Sequence, residues 1–157
     1  MSLAPEALRT STATLQFELT LVPSDAEWKY LVPSRRGELA DDWTAVEFDD
    51  NKFALGQAGF GYGDDDDATQ LPVGTGMVLL RHTFQLPEQP LSQSLVLEVD
   101  FDDGFVAYLN GTRVAAVNAP RGKPDANSMA TKGREAGTAD RFDLSAHSNL
   151  LRKGKNV

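Results

Sequence analysis

The feature that most constrains this chain is the run from Asp102 to Val117. Phe105-Val106-Ala107-Tyr108-Leu109 and Thr112-Arg113-Val114-Ala115-Ala116-Val117 flank the dipeptide Asn110-Gly111. Two β-prone runs joined by Asn-Gly form the strongest short-range hairpin signal, because both residues tolerate the positive φ of a type I′ turn. That turn twists with the paired strands, so the pattern predicts antiparallel β structure. Thr14 to Leu21 alternates polar and apolar residues, as does Leu95 to Phe101, and this period of two describes strands with one buried face. Met77 to Phe84 reads as a more deeply buried strand and Arg141 to Leu144 as a short one. His82 shares strand parity with Leu80 and Phe84, which predicts a ring facing the interior or its edge. Helix signals are confined to Pro5–Leu8 and Leu144–Leu151. Many short strands divided by turn chemistry predict an all-β sandwich or jelly roll. The connections Gly56 to Gly76 and Pro120 to Gly137 are long for a compact domain, a property of functional or mobile segments.

Composition narrows the partners. A chain of 157 residues is long enough for one domain with its own core. It has no cysteine, which removes disulfides, thiolate chemistry and Cys-based zinc sites. The charge is uneven: residues 1–80 carry 5 basic and 14 acidic side chains, against 10 and 9 in residues 81–157. An acidic first half repels phosphate backbones and anionic membranes and attracts cations, so neither nucleic acid nor membrane insertion is expected. No apolar run approaches the roughly 20 residues of a membrane-spanning helix, and the N-terminus carries no signal-peptide pattern.

Several separated pieces occur in a recognisable order: Trp28-Lys29-Tyr30-Leu31, Asp42-Trp43, Phe48-Asp49-Asp50, Gly59-Phe60-Gly61-Tyr62-Gly63-Asp64, Arg81-His82-Thr83-Phe84, the Asp102–Gly111 hairpin, and Leu150 to Val157. Together they resemble the galactose-binding-like jelly-roll modules appended to large bacterial secreted proteins, among them spore-coat-kinase-like proteins, phosphoesterases and glycoside hydrolases. The resemblance covers residues 24–157, with residues 1–23 as a first strand or the tail of a preceding domain. It implies an antiparallel jelly-roll sandwich, an extracellular or cell-envelope setting, neighbouring domains in a larger polypeptide, and an ancillary rather than catalytic role. In that family an apolar strand follows the segment corresponding to Leu150–Val157. The expectation is therefore that the native protein continues, and that the gap is filled by another chain or by Thr14–Val22.

Candidate ligand residues follow from side-chain chemistry. Sugar-binding surfaces stack aromatic faces on the C–H-rich faces of pyranoses, and carboxylates nearby bond the hydroxyls. Trp43 beside Asp41-Asp42 and Tyr62 beside Asp64 are the aromatics expected to be exposed, whereas Trp28 and Tyr108 sit in apolar patterns and read as core. The run Asp64-Asp65-Asp66-Asp67 suits a hard cation such as Ca²⁺, which takes about six to eight oxygen ligands. In an extended loop alternate side chains share a side, so Asp64 with Asp66, or Asp65 with Asp67, can face one ion. The alternative is a solvated acidic loop. An EF-hand is excluded by Ala68 and Thr75 at liganding positions, and a nucleotide loop at Gly59-x-Gly61-x-Gly63 by the carboxylates that follow. Asn110-Gly111-Thr112 fits the N-glycosylation pattern but is explained by the turn alone. His82 and His147 lie far apart and show no metalloenzyme spacing, and no Gly-x-Ser-x-Gly elbow is present. The sequence thus predicts a non-catalytic module, carbohydrate-binding through Trp43 and Tyr62 with a structural Ca²⁺ at Asp64 and Asp66. The alternative is an interaction module that packs against a catalytic neighbour without binding sugar.

Overall fold

The structure is a computed structural model and describes residues 18–33, 39–63, 67–88 and 94–157. In chain order the strands are β1 (Glu27–Leu31), β2 (Ala54–Gln57), β3 (Phe60–Gly61), β4 (Thr69–Gln70), β5 (Leu79–Arg81), β6 (Phe84–Leu86), β7 (Val96–Val99), β8 (Phe105–Leu109), β9 (Thr112–Val117), β10 (Asp140–Asp143) and β11 (Gly154–Asn156). A 3₁₀ helix, Ser145–Leu150, joins the last two. The described chain is mostly strand, turn and loop with almost no helix, an all-β arrangement of small sheets.

The Asn-Gly hairpin forms as its turn chemistry dictates. Asn110 and Gly111 take φ values of 51° and 86°, and β8 pairs with β9 antiparallel around them. The register shifts after Ala107, which pairs with Ala115 while Tyr108 pairs with Arg113, so Val114 is the extra residue of a bulge. The period of two in Leu95–Phe101 is realised as alternating burial. Leu95, Leu97, Val99 and Phe101 turn inward, while Val96, Glu98 and Asp100 are exposed. β10 pairs with β7 antiparallel, and Phe142 joins Phe105 and Phe101 in an edge-to-face stack with centroids 5.3 and 4.8 Å apart.

Met77 to Phe84 is not one strand. β5 pairs with β1 in a three-stranded sheet ordered β2-β1-β5, whereas β6 pairs with β11, so the chain changes sheets at His82-Thr83. Strands that turn a corner between sheets do so at such breaks. Leu79 and Arg81 are the buried residues of β5, and His82 is half-buried, at the edge of the interior. The long Gly56–Gly76 connection contains a short parallel pair, β3 with β4. Gly61 lets the Asp67 carboxylate lie close against the backbone there, where a Cβ would displace it. Of the strand expected over Thr14–Leu21, residues 18–21 form no strand and residues 14–17 lie outside the described residues, as does Pro5–Leu8.

The apolar core centres on Leu86, Leu109 and Leu151, with Leu21, Phe84, Leu95, Val114 and Leu150 packed around them. It therefore joins β6, the end of β8 and the C-terminal segment. Residues 154–156 form the strand β11, paired antiparallel with β6.

Candidate functional site

Two long connections, residues 39–53 and 118–137, are each tied down by an arginine. β1 and β5 place Lys29 directly opposite Arg81, a like-charge pair that is unfavourable alone. Asp50 resolves it. Its Oδ1 accepts from Lys29 Nζ at 2.6 Å and its Oδ2 from Arg81 Nε at 3.1 Å. Arg81 also donates to the Trp43 and Ala45 carbonyls, and its guanidinium lies 5.2 Å from the centre of the Phe48 ring. Its side chain is only 3% exposed, yet three of its nitrogens have partners. Burial of the Asp50 carboxyl pushes its pKa up, but hydrogen bonds and charge from Lys29 and Arg81 together outweigh this and hold it below the usual carboxylate value.

Arg134 plays the corresponding part in the second connection. It donates to the Phe101, Thr138 and Glu135 carbonyls, lies 3.4 Å from both Asp100 and Asp140, and covers the Phe101 ring at 4.0 Å. Asp103 and Arg134 exchange backbone bonds around it, Arg134 N–H to Asp103 Oδ1 and Asp103 N–H to the Arg134 carbonyl. Asp100 is held below the ordinary carboxylate range, first by the Gly137 N–H and then by Arg134. Lys123 completes the frame by bonding Asp41 Oδ1 at 2.9 Å, so the two connections are joined to each other. The second connection, which length marks as functional or mobile, is here fixed by side-chain bonds.

The two aromatics expected to be exposed differ. Trp43 is half-buried, its ring edge-on to Tyr108 at 5.7 Å, and its carbonyl is taken by Arg81. Tyr62 follows β3 and is 42% exposed, the only aromatic ring of the described residues with such exposure. Trp28 and Tyr108 are half-buried within β1 and β8. Asp64, Asp65 and Asp66 lie outside the described residues; Asp67 packs beside Gly61. Among the described residues no group of three or more His, Asp or Glu side chains is placed to hold a metal ion. His82 packs on the Trp28 ring at 5.1 Å, and its Nδ1 donates to the Glu27 carbonyl, which can only accept. At Asn110 the side-chain nitrogen donates to Leu150 O and Asn156 Oδ1, so the glycosylation pattern falls on an amide already committed to the fold.

Two shallow clefts mark the surface. One, of about 250 Å³, runs between Val32-Pro33, the Pro72–Met77 turn and Met129. Val73 and Met129 are 88% and 67% exposed there. The other, of about 180 Å³, lies over the Lys29–Asp50–Arg81 cluster, bordered by Glu27, Leu55, His82 and Thr83. Sequence reading missed this cluster. Its only local trace is a charged residue, Arg81, set among the apolar residues of a buried strand. No protein-family model matches the chain, and no curated protein or solved structure is significantly similar to it.

Proposed function

We propose that this chain is a jelly-roll, non-catalytic ancillary module that binds carbohydrate, with Tyr62 as the stacking ring. The observation that carries this reading is the exposure of Tyr62 on a Gly-rich turn beside the acidic run 64–67, while the other described aromatics are drawn into packing. An exposed ring offers an apolar face to a pyranose, and neighbouring carboxylates accept from its hydroxyls. Asp50 and Asp100 are held below the ordinary carboxylate range by cationic and N–H partners, so neither is set up as a general acid. In this reading Ca²⁺ at Asp64 and Asp66 orders the loop beside Tyr62, in a secreted bacterial protein.

A glycan array, run with Ca²⁺ and with chelator, tests the proposal. Retention of at least one polysaccharide is expected, weakened about tenfold by Tyr62→Ala, which removes one stacking ring. Retention unchanged in Tyr62→Ala overturns the site. Absence of binding by the folded protein overturns the sugar reading and favours the interaction module, for which the exposed apolar side chains of Val73 and Met129 beside the first cleft are the supporting observation. Calcium is tested separately: it is expected to raise the melting temperature of chelator-treated protein by mass action, and an unchanged curve assigns a solvated acidic loop.

A further inference from the structure

Asn110 is the only asparagine followed by glycine in this sequence. It does more than form a turn. Its backbone N–H donates to the Val157 carbonyl at 2.9 Å, and its Oδ1 accepts from the Val157 N–H at 2.9 Å. Its Nδ2 donates to Leu150 O and to Asn156 Oδ1, both at 2.8 Å. Asn156 has no exposed surface, and its own bonds fix its orientation. Asn156 Oδ1 also accepts from the Arg152 N–H, while Nδ2 donates to the Arg152 and Gly154 carbonyls. Neither amide can turn over without setting donor against donor or acceptor against acceptor. The pair clamps the β8–β9 turn to the C-terminal strand.

We infer that Asn110 is a site of water-driven deamidation, held dormant by this clamp, and that its conversion releases β11. In the reaction the Gly111 peptide nitrogen loses its proton to a base from solvent and bonds to Asn110 Cγ. The Cγ–Nδ2 bond breaks, and the nitrogen takes a proton from water and leaves as ammonia. The cyclic imide then takes up one water and opens to aspartate or isoaspartate, with no change of oxidation state. Glycine at 111 favours attack because it has no side chain to obstruct it. The clamp opposes attack because Cγ cannot swing toward the Gly111 nitrogen while both ends of the amide are bonded. In the aspartate product, an oxygen replaces Nδ2 and faces the Leu150 carbonyl and Asn156 Oδ1, two acceptors with no proton between them; in the isoaspartate product the main chain passes through Cγ, so the side-chain amide that made these bonds is gone altogether. Asn156 cannot relieve this, since reversing its amide sets Nδ2 against the Arg152 N–H and Oδ1 against two carbonyls. A buried acceptor set against acceptors costs more than the bonds it loses.

The test is peptide mapping by mass spectrometry of the full chain held at mildly alkaline pH. Deamidation at Asn110 is expected to run at least about tenfold slower in the native protein than in concentrated urea, in proportion to the rarity of local opening. Asn156→Ala, which removes the facing amide, is expected to speed it in the native state. Should that variant not fold, wild-type protein in urea below its unfolding transition gives the same reading: Asn110 modification rises together with hydrogen exchange of the 152–157 amides. Equal rates in native and unfolded chain overturn the inference, as does modification that rises only with global unfolding. For the consequence, Asn110→Asp is expected to lose exchange protection at β11 while keeping it in β7 and β10. Unchanged β11 protection overturns that part.

Discussion

Arg81 and Arg134 hold the two long connections to the strands by the same means, a planar cation spread over carbonyls, carboxylates and a ring, but in different media. Arg81 is 3% exposed and Arg134 is 22% exposed. Around Arg81, whose own side chain is almost wholly enclosed, a lost bond is replaced by water less readily. The partners of Arg134, Asp100 and Asp140, reach solvent, so part of any loss is made good there. One arrangement thus yields a rigid element and a more compliant one. The first carries Trp43, and the second carries Met129, which lines the cleft beside the Pro72–Met77 turn.

The largest effect is expected at Arg81. Arg81→Met leaves Asp50 half-paired and the Trp43 and Ala45 carbonyls without their donor, for a loss of about 3–5 kcal/mol. Arg81→Lys is expected to recover little, because one ammonium cannot reach three directions held by a guanidinium fork. Urea midpoints of the two variants check this. A loss near that of an ordinary surface residue would break the contrast between the two arginines.

Acid sharpens it next. The folded-state pKa of Asp50 is lowered from 3.8, so its contribution is fully present above the unfolded value and is lost as pH falls through the lower folded value. Asp50→Asn is expected to flatten the fall in melting temperature between about pH 5 and pH 2. Asp100, also lowered but more exposed, is expected to contribute less to that slope. A larger flattening from Asp100→Asn would reverse the ranking.

Local patterns were legible in the sequence, and long-range ones were not. The hairpin depends on Asn110-Gly111 alone and the β7 face on its own alternation, so both could be read from adjacent residues. The split of Met77–Phe84 into β5 and β6 depends on β1 and β11, which are remote in sequence. Trp43 looked exposed because its neighbours are acidic, but its burial comes from Tyr108 on another strand. Arg81 meets Asp50 across 31 positions, a pairing no local pattern reveals. Tyr62 stayed readable because Gly61 and Gly63 on either side leave it little to pack against.

Arg134 itself comes third. Arg134→Ala is expected to cost about 1–2 kcal/mol, mostly through the lost carbonyl bonds and ring contact. The loss should shrink modestly in high salt, since the pairs with Asp100 and Asp140 are screened while the carbonyl bonds are not.

The smallest effect belongs to a third arginine that isolates one part of the argument. Arg141 bonds Glu98 at 3.0 Å across the β10–β7 pair, both side chains are exposed, and the pair lies directly opposite in register. It shares the arginine–carboxylate contact with Arg81 and Arg134 but has neither the carbonyl bonds nor the ring. Exposed pairs of this kind contribute roughly 0–1 kcal/mol. Arg141→Ala is therefore expected to move the urea midpoint less than Arg134→Ala, and moderate salt should remove most of what it does. If Arg141→Ala instead costs as much as Arg134→Ala, the ion pair alone accounts for the effect at both sites. The ordering by burial would then hold for Arg81 only, and the 118–137 connection would be fixed by charge rather than by its carbonyls.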